Sequence, residues 1–223
     1  MSMLADTFAS VKIICALAIC VLCLGFGPSV AASGSEGLLV TSKAASLLEK
    51  SIPSLPGGFS AQSSDPWGHR MGDQTAAQFA QYYDPLAISS RELEAGGFLE
   101  AYSEFASGKT HKKSDYLTIS LVRLTNETVA NEVARQFKDL QTQSLTPAPP
   151  GGSVKEILIP GVPGAQAYQG WFDGSAYSDI VFVRGGVVVD LDWTSPSRSA
   201  AARLPTFAKK LYRSLTFGSP RLT

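Results

Sequence analysis

The sequence predicts an α+β fold, in which a mainly antiparallel sheet from two ββα-like units is packed by amphipathic helices. Residues 116–124 alternate in polarity, as expected of a strand whose two faces differ. Residues 127–141 place an apolar side chain at every third or fourth position, which is typical of an amphipathic helix. Gly185 and Gly186 separate two β-branched runs and indicate a two-residue hairpin turn. Because such turns join antiparallel strands, we expect a mainly antiparallel sheet.

The first half of the chain after residue 32 is predicted to contain short elements separated by turn residues. Apolar residues at helical spacing predict the first helix, and Pro53 ends it. Ser89 or Ser90 is a suitable N-cap for a later helical turn. The predicted elements are, in order, a helix over 38–51, an irregular loop over 59–73, a helix over 74–83, a capped turn at 91–94, a strand over 97–106 and a polar link over 107–114.

The second half is predicted to be richer in strands. Thr125 or Asn126 is expected to cap the helix over 127–141, and the last helix begins either near 195–199 or at Pro205. The other predicted elements are strands over 116–124, 154–159, 165–172, 179–183 and 187–193, with a Pro/Gly-rich loop over 146–153. The succession strand, strand, helix therefore occurs twice, which is the reason for predicting two ββα-like units.

The N-terminus predicts export. An apolar run over 13–27 follows Lys12 and is shorter than the roughly 20 residues that a membrane-spanning helix needs. Small residues follow, so cleavage by signal peptidase is expected after Ala31 or Ala32. We therefore predict a signal peptide over 1–32 and a single domain over 33–223, secreted or located in the cell envelope. The alternative is that the N-terminal segment stays uncleaved as a membrane anchor. Contact with the membrane is expected only in that case and only through this segment.

Charge and cysteine content exclude several classes of function. Lys and Arg total 19, as do Asp and Glu, so a nucleic acid partner is not expected. All the cysteines, namely Cys15, Cys20 and Cys23, lie in the predicted signal segment. The mature domain is thus expected to have no disulfide, no thiolate metal site and no cysteine nucleophile. We also expect no cofactor.

Two histidines and their neighbours were considered as metal or catalytic sites. Asp65, His69 and Asp73 are spaced by four residues, but Pro66 and nearby glycines exclude the helix that would align them. His69 is therefore expected to be a solvated loop residue. His111 lies among lysines, and we expect it to occupy a solvated turn as well.

The remaining polar patterns also predict no catalytic or metal site. Asp190 and Asp192 alternate with apolar residues, so they are expected on the solvent face of a half-buried strand. Asp173 and Asp179 resemble turn residues, and Asn126 begins a glycosylation sequon that is better interpreted as a helix cap. No serine elbow, zinc-protease motif or phosphate-binding loop is present in the sequence.

Aromatic residues provide the only candidate ligand-binding positions. Most aromatic side chains of a domain this size belong to its core. Those near predicted loops are nevertheless able to line an apolar pocket. The candidates are Trp67, Tyr168, Trp171 and Tyr177.

Three segments carry a resemblance to known proteins. They are Gly-Phe-Leu-Glu-Ala-Tyr at 97–102, Ile-Pro-Gly-Val-Pro-Gly-Ala at 159–165 and the hairpin sequence at 181–187. With the helices around them, they resemble largely uncharacterised exported proteins and lipoproteins of the actinobacterial cell envelope. The similarity extends over about residues 47–215, and the chain lacks the lipobox of the lipoprotein members. The resemblance implies a location in the envelope and supplies no catalytic residue.

These observations lead to one predicted function and two alternatives. The prediction is a non-catalytic binding module of the cell envelope, whose partner is a lipid-like ligand or another protein. The first alternative is a hydrolase of envelope material that uses Asp173, Asp190 or Asp192 as carboxylates. The second is a purely structural envelope protein.

Overall fold

One mainly antiparallel sheet dominates the computed structural model, which describes residues 46–66, 68–69, 71–82, 89–110, 113–145, 151–198 and 202–215. Within these residues the eight strands follow the order β1-β3-β4-β8-β7-β6-β5, and β2 also pairs with β3. The strands are β1 (Phe59–Gln62), β2 (Gly72–Gln74), β3 (Phe98–Thr110), β4 (Lys113–Leu124), β5 (Ser153–Glu156), β6 (Gln166–Phe172), β7 (Ser175–Arg184) and β8 (Val187–Ser195). The predicted α+β class with an antiparallel sheet is confirmed.

Four of the five helices given below begin where a side chain accepts a hydrogen bond from a free N–H group of the first turn, and the last helix has no such cap. Ser89 and Glu92 form a reciprocal capping box, and the Asn126 side chain accepts a hydrogen bond from the Val129 N–H. Pro205 lies in the first turn of the last helix, close to the later of its two predicted starts, and Arg198, at the earlier predicted start, is also helical and accepts a hydrogen bond from the Ala202 N–H. The helices are α1 (Leu47–Ser51), α2 (Ala76–Tyr82), α3 (Ser90–Ala95), α4 (Glu127–Leu145) and α5 (Leu204–Ser214).

Helices cover both faces of the sheet. On β8, Val187, Val189 and Leu191 belong to one buried cluster, whereas Val188 belongs to the other. The first cluster includes α1 and α5, and we call its side of the sheet the α5 face. The second includes α2, α3 and α4, and we call its side the α4 face. The two ββα successions therefore place their long helices on opposite faces.

Three sequence-based expectations fail in the structure, and the first fails because helices cover both faces. Asp190 was expected on a solvent face, but α4 covers it and only 8% of it is exposed. The predicted loop over 59–73 contains β1 and β2, whose four and three residues are too few to show alternation. The predicted polar link over 107–114 consists largely of strand, because β3 and β4 continue towards its centre.

Some predicted segments lie outside the described residues. These are the signal peptide over 1–32, the first part of the helix predicted over 38–51, and most of the Pro/Gly-rich loop over 146–153. Among the residues that the structure describes, no helix is long and apolar enough to cross a membrane.

Two tight hairpins set the register of the sheet centre and edge. The Gly185–Gly186 turn between β7 and β8 has φ values of 57° and 79°, and the Asp173–Gly174 turn between β6 and β7 has values of 47° and 72°. Positive φ at both positions is characteristic of the type I′ turns that suit twisted strands. A Cβ atom on Gly186 would lie 2.7 Å from the Leu124 carbonyl oxygen. Gly186 therefore allows this hairpin to approach the end of β4.

We expect Gly186→Ala to lower the free energy of unfolding by about 1–3 kcal/mol, because it adds backbone strain and a close contact. Urea denaturation followed by circular dichroism measures this change. Gly185→Asn is the control, since asparagine tolerates left-handed backbone and the expected loss is below about 1 kcal/mol. Equal losses in the two variants would show that the close contact with Leu124 does not contribute to the loss of stability.

Candidate functional site

A cavity of about 390 Å³ lies at the edge of the sheet formed by β5, β6 and β7. Its volume is within the range of small-molecule sites. Arg198 and Ala202, which lie between β8 and α5, line another side of it. The lining residues are Ser153, Val154, Lys155, Gln169, Gly170, Trp171, Ala176, Tyr177, Arg198 and Ala202.

Small residues leave space in the cavity and position its aromatic side chains. Trp171 is paired across the sheet with both Ser153 and Ala176, so a bulky side chain is flanked by two small ones. A Cβ atom on Gly170 would lie 2.0 Å from the ring of Tyr177. Glycine thus allows this ring to lie against β6 on the α4 face, opposite Trp171, and the Tyr177 hydroxyl donates to the Ser153 carbonyl oxygen at 3.3 Å.

The charged groups of the cavity are cationic. The Arg198 guanidinium lies 4.7 Å from the centroid of the Trp171 ring, a distance at which a cation is attracted to an indole face. Lys155 is exposed on β5 at the same cavity, and none of the described lining residues is acidic. Burial, followed by the charge of Asp179, raises the pKa of the Tyr177 hydroxyl, which therefore stays protonated at neutral pH. On the α5 face, the cavity therefore combines one aromatic ring, that of Trp171, with two cations, whereas the Tyr177 ring lies on the α4 face of the same strands.

The predicted ligand-binding aromatics have different positions in the structure. Trp171 and Tyr177 both line the cavity. Tyr168 is buried on the α4 face, where its hydroxyl lies 3.1 Å from the Thr142 hydroxyl and accepts from Gln166. Tyr168 therefore joins α4 to β6 and does not line the cavity. Trp67 lies outside the described residues.

A second polar cluster lies under the end of α4. The side-chain amide of Gln141 donates to Asp179 and also to Asp190, the latter at 3.3 Å. Asp179 is paired with Asp192 across β7 and β8, which corrects its interpretation as a turn residue. Asp173 does lie in a turn. No group of three or more potential ligands in the described part of the chain is arranged to hold a metal ion.

His69 is held by a buried carboxylate. Its Nδ1 atom lies 2.7 Å from Asp65 Oδ2, and its backbone N–H donates to Asp65 Oδ1 at 2.8 Å. The Asp65 side chain is fully buried and that of His69 is 39% exposed. His69 is thus partly exposed in a loop, as expected, but its ring is also held by the buried Asp65 carboxylate. Asp73 lies apart in β2, and His111 is outside the described residues.

A titratable pair that no sequence pattern indicates lies on the α5 face. Tyr102 donates a hydrogen bond to Glu104 at 3.4 Å. Burial is the main cause that raises the pKa of Glu104, while the hydrogen bond from Tyr102 opposes this increase. Burial, together with the nearby charge of Glu104, raises the pKa of Tyr102. Tyr102 and Glu104 are two positions apart on β3 and therefore share a face. Their burial depends on elements that are distant in the sequence, so the sequence pattern alone does not reveal the raised pKa values.

Comparisons with known proteins give little further information. No protein family model matches the chain, and no curated protein matches it either. Among solved structures, it is similar to the crystal structure of the extracellular domain of PknH from Mycobacterium tuberculosis. The sequences are 11% identical, the TM-score is 0.40, and the match covers 70% of this chain and 80% of that chain. A similarity of this extent assigns neither a ligand nor an activity.

We expect Gln141→Leu to lower the free energy of unfolding by about 1–3 kcal/mol, because the variant removes a buried donor that serves two carboxylates. Gln143→Leu is the matched control, since Gln143 is exposed on the same helix and its replacement should change stability by less than about 0.5 kcal/mol. Urea titration of both variants provides the measurement. A loss as small in Gln141→Leu as in the control would exclude a structural role for the amide.

We also expect Glu104→Gln to stabilise the protein at neutral pH. The raised pKa means that the native state favours the neutral acid, so this group's contribution is full at low pH and is lost as the pH rises through the folded pKa. Glutamine is neutral at every pH, and the gain should therefore disappear below about pH 4. Thermal unfolding across this range measures the effect, with the exposed Glu156→Gln as control. A gain that does not depend on pH would contradict this account.

Proposed function

We propose that the protein is a non-catalytic binding module and that the cavity binds a lipid-like anion, with an apolar chain attached to a phosphate or carboxylate. The observation that carries this proposal is the pairing of Arg198 with Trp171 beside Lys155, in a cavity large enough for a small ligand. The predicted signal peptide is consistent with a role in the cell envelope.

The two cations suit an anionic group. A guanidinium presents several N–H donors in a plane and binds phosphate or carboxylate through two parallel hydrogen bonds. The Trp171 ring contacts one face of the Arg198 guanidinium and so limits its orientation. A ring contact on that face does not use the N–H groups at the edge of the guanidinium, which a ligand can therefore approach. Because Lys155 and Arg198 are both exposed, an anion reaches them without crossing the core.

The apolar surface of the cavity suits a hydrocarbon chain. Trp171 packs partly against the core of the α5 face, and Ala176 belongs to that core. Burial of each methylene group contributes about 0.8 kcal/mol, so a few groups next to Trp171 give useful affinity. A small hydrophilic anion would use only the cationic part of the cavity.

The hydrolase alternative receives less support from the geometry. Asp190 is buried and accepts a hydrogen bond from Gln141, which limits its access to a substrate. Asp173 lies in an exposed turn, and none of the three candidate carboxylates lines the cavity. A general acid or base has to lie within hydrogen-bond distance of the group on which it acts.

The proposal is tested by isothermal titration calorimetry of the full chain with lauryl phosphate below its micelle concentration. We expect lauryl phosphate to bind and lauryltrimethylammonium, which carries the opposite charge on the same chain, not to bind. Arg198→Gln should weaken binding about tenfold, because a hydrogen bond to a charged group contributes about 1.5–3 kcal/mol. Ala202→Trp should abolish binding, since it places a large ring at the exposed rim of the cavity.

Lys210→Gln is the matched control, because it removes an exposed cation that does not line the cavity. It should leave the affinity for lauryl phosphate unchanged. Equal affinity for the anionic and cationic probes, or full affinity in Arg198→Gln and Ala202→Trp, would refute the proposed function.

A further inference from the structure

Two buried donors beside the cavity have no hydrogen-bond partner. Ser178 is 1% exposed and Trp193 is fully buried. Within the described residues, the Ser178 hydroxyl and the Trp193 indole N–H both lack an acceptor. An unsatisfied buried polar group costs about 1–3 kcal/mol, so two of them next to each other require an explanation.

The register of the sheet places Ser178 next to the cavity wall and Trp193 one strand further towards the sheet centre. Ser178 is paired with Gln169 on one side and with Trp193 on the other. Gln169 is in turn paired with Lys155, and these last two residues line the cavity. The row Lys155, Gln169, Ser178, Trp193 therefore runs along the α5 face from the cavity towards the centre of the sheet, because paired residues share a face.

The chemistry of this row changes from charged to neutral. Lys155 is an exposed cation, whereas the indole N–H of Trp193 is a neutral group that only donates. A neutral donor pair in a buried environment matches a neutral acceptor better than an ion, since burial of an ion is far more costly. A carbonyl oxygen is such an acceptor, with two lone pairs that suit two donors.

We propose that Ser178 and Trp193 bind the carbonyl oxygen of an acyl ester, so that the ligand is an ester-linked anionic lipid. This inference rests on the proposed function, since Arg198 and Lys155 hold the anionic group at the outer end of the same row. Gln169 is only partly buried, and this proposal requires its side chain to move towards solvent so that the ester group reaches Ser178. The two unsatisfied donors then acquire an acceptor when the ligand binds.

The test compares lauroyl lysophosphatidate with its ether analogue, which differs by the absence of the carbonyl oxygen. Calorimetry of the full chain should show at least tenfold tighter binding of the ester. Ser178→Ala should remove this preference while binding of the ether is unchanged. Trp193→Phe, which keeps an aromatic ring against Phe59 and Arg203, should reduce the preference as well.

Ser120→Ala is the matched control, because Ser120 is also a buried serine with an unsatisfied hydroxyl but lies on the α4 face. Both serine variants should raise the thermal midpoint by about 2–4 °C, since each removes an unsatisfied group. Only Ser178→Ala should change the preference for the ester.

The outcomes separate this inference from the proposed function. If ester and ether bind with equal affinity, or if Ser178→Ala retains the preference, the inference is overturned while the cationic cavity remains a lipid site. If neither lysophosphatidate binds, both proposals are refuted. If Ser120→Ala also loses the preference, the effect does not arise from the row on the α5 face, and the inference is again overturned.

Discussion

Coverage of both sheet faces by helices is the constraint on which the other features depend. The central hairpin of β7 and β8 lies between α4 and α5, so its side chains on either face are removed from water. A buried side chain there is expected to be apolar or to form a hydrogen bond within the protein, and Ser178 and Trp193 are exceptions whose donors have no acceptor among the described residues. Val188 and Val189 satisfy the first condition on opposite faces, and Asp190 satisfies the second through Gln141. At the edges of the sheet, polar side chains remain in contact with water and do not need a partner within the protein. The cavity lies at such an edge, formed by β5, β6 and β7.

The fold was largely predictable because its main elements have strong local patterns. The strand around 116–124, the helix that begins at Glu127 and the Gly185–Gly186 turn are set by residues close together in the chain. The failures have a common cause in distant contacts. β1 and β2 exist because β3 offers them backbone partners, and no pattern of their own marks them. The alternation around Asp190 is the same whether water or the amide of Gln141 faces the carboxylate.

The candidate site was predictable only in part. Its aromatic members, Trp171 and Tyr177, were identified from their chemistry and their closeness to predicted turns. Lys155 and Arg198 were not identified, since they are separated along the chain and meet only when β5 and the connection after β8 reach the same edge. Ser178 was missed for a different reason. A buried serine without an acceptor can be recognised only when its surroundings are known.

The guanidinium groups of the α5 face are held mainly by rings. Arg198 lies over Trp171, Arg203 over Trp193 and Arg184 over Tyr212. A ring attracts a cation without neutralising its charge, whereas a carboxylate in an ion pair would neutralise it. The positive charge near the cavity is therefore retained. This arrangement also joins the connection after β8 to the sheet through two indoles on strands β6 and β8.

The marginal position of the cavity separates two kinds of mutational change. Ser153, Lys155, Arg198 and Ala202 are all exposed, so substitutions there alter the charge and shape offered to a ligand at little cost to folding. Gly170 and Ala176 are different, since a larger side chain at either position meets Tyr177 or the core. The rim of the cavity can therefore change its charge and shape without disturbing the fold, whereas its floor is fixed by the packing of the sheet.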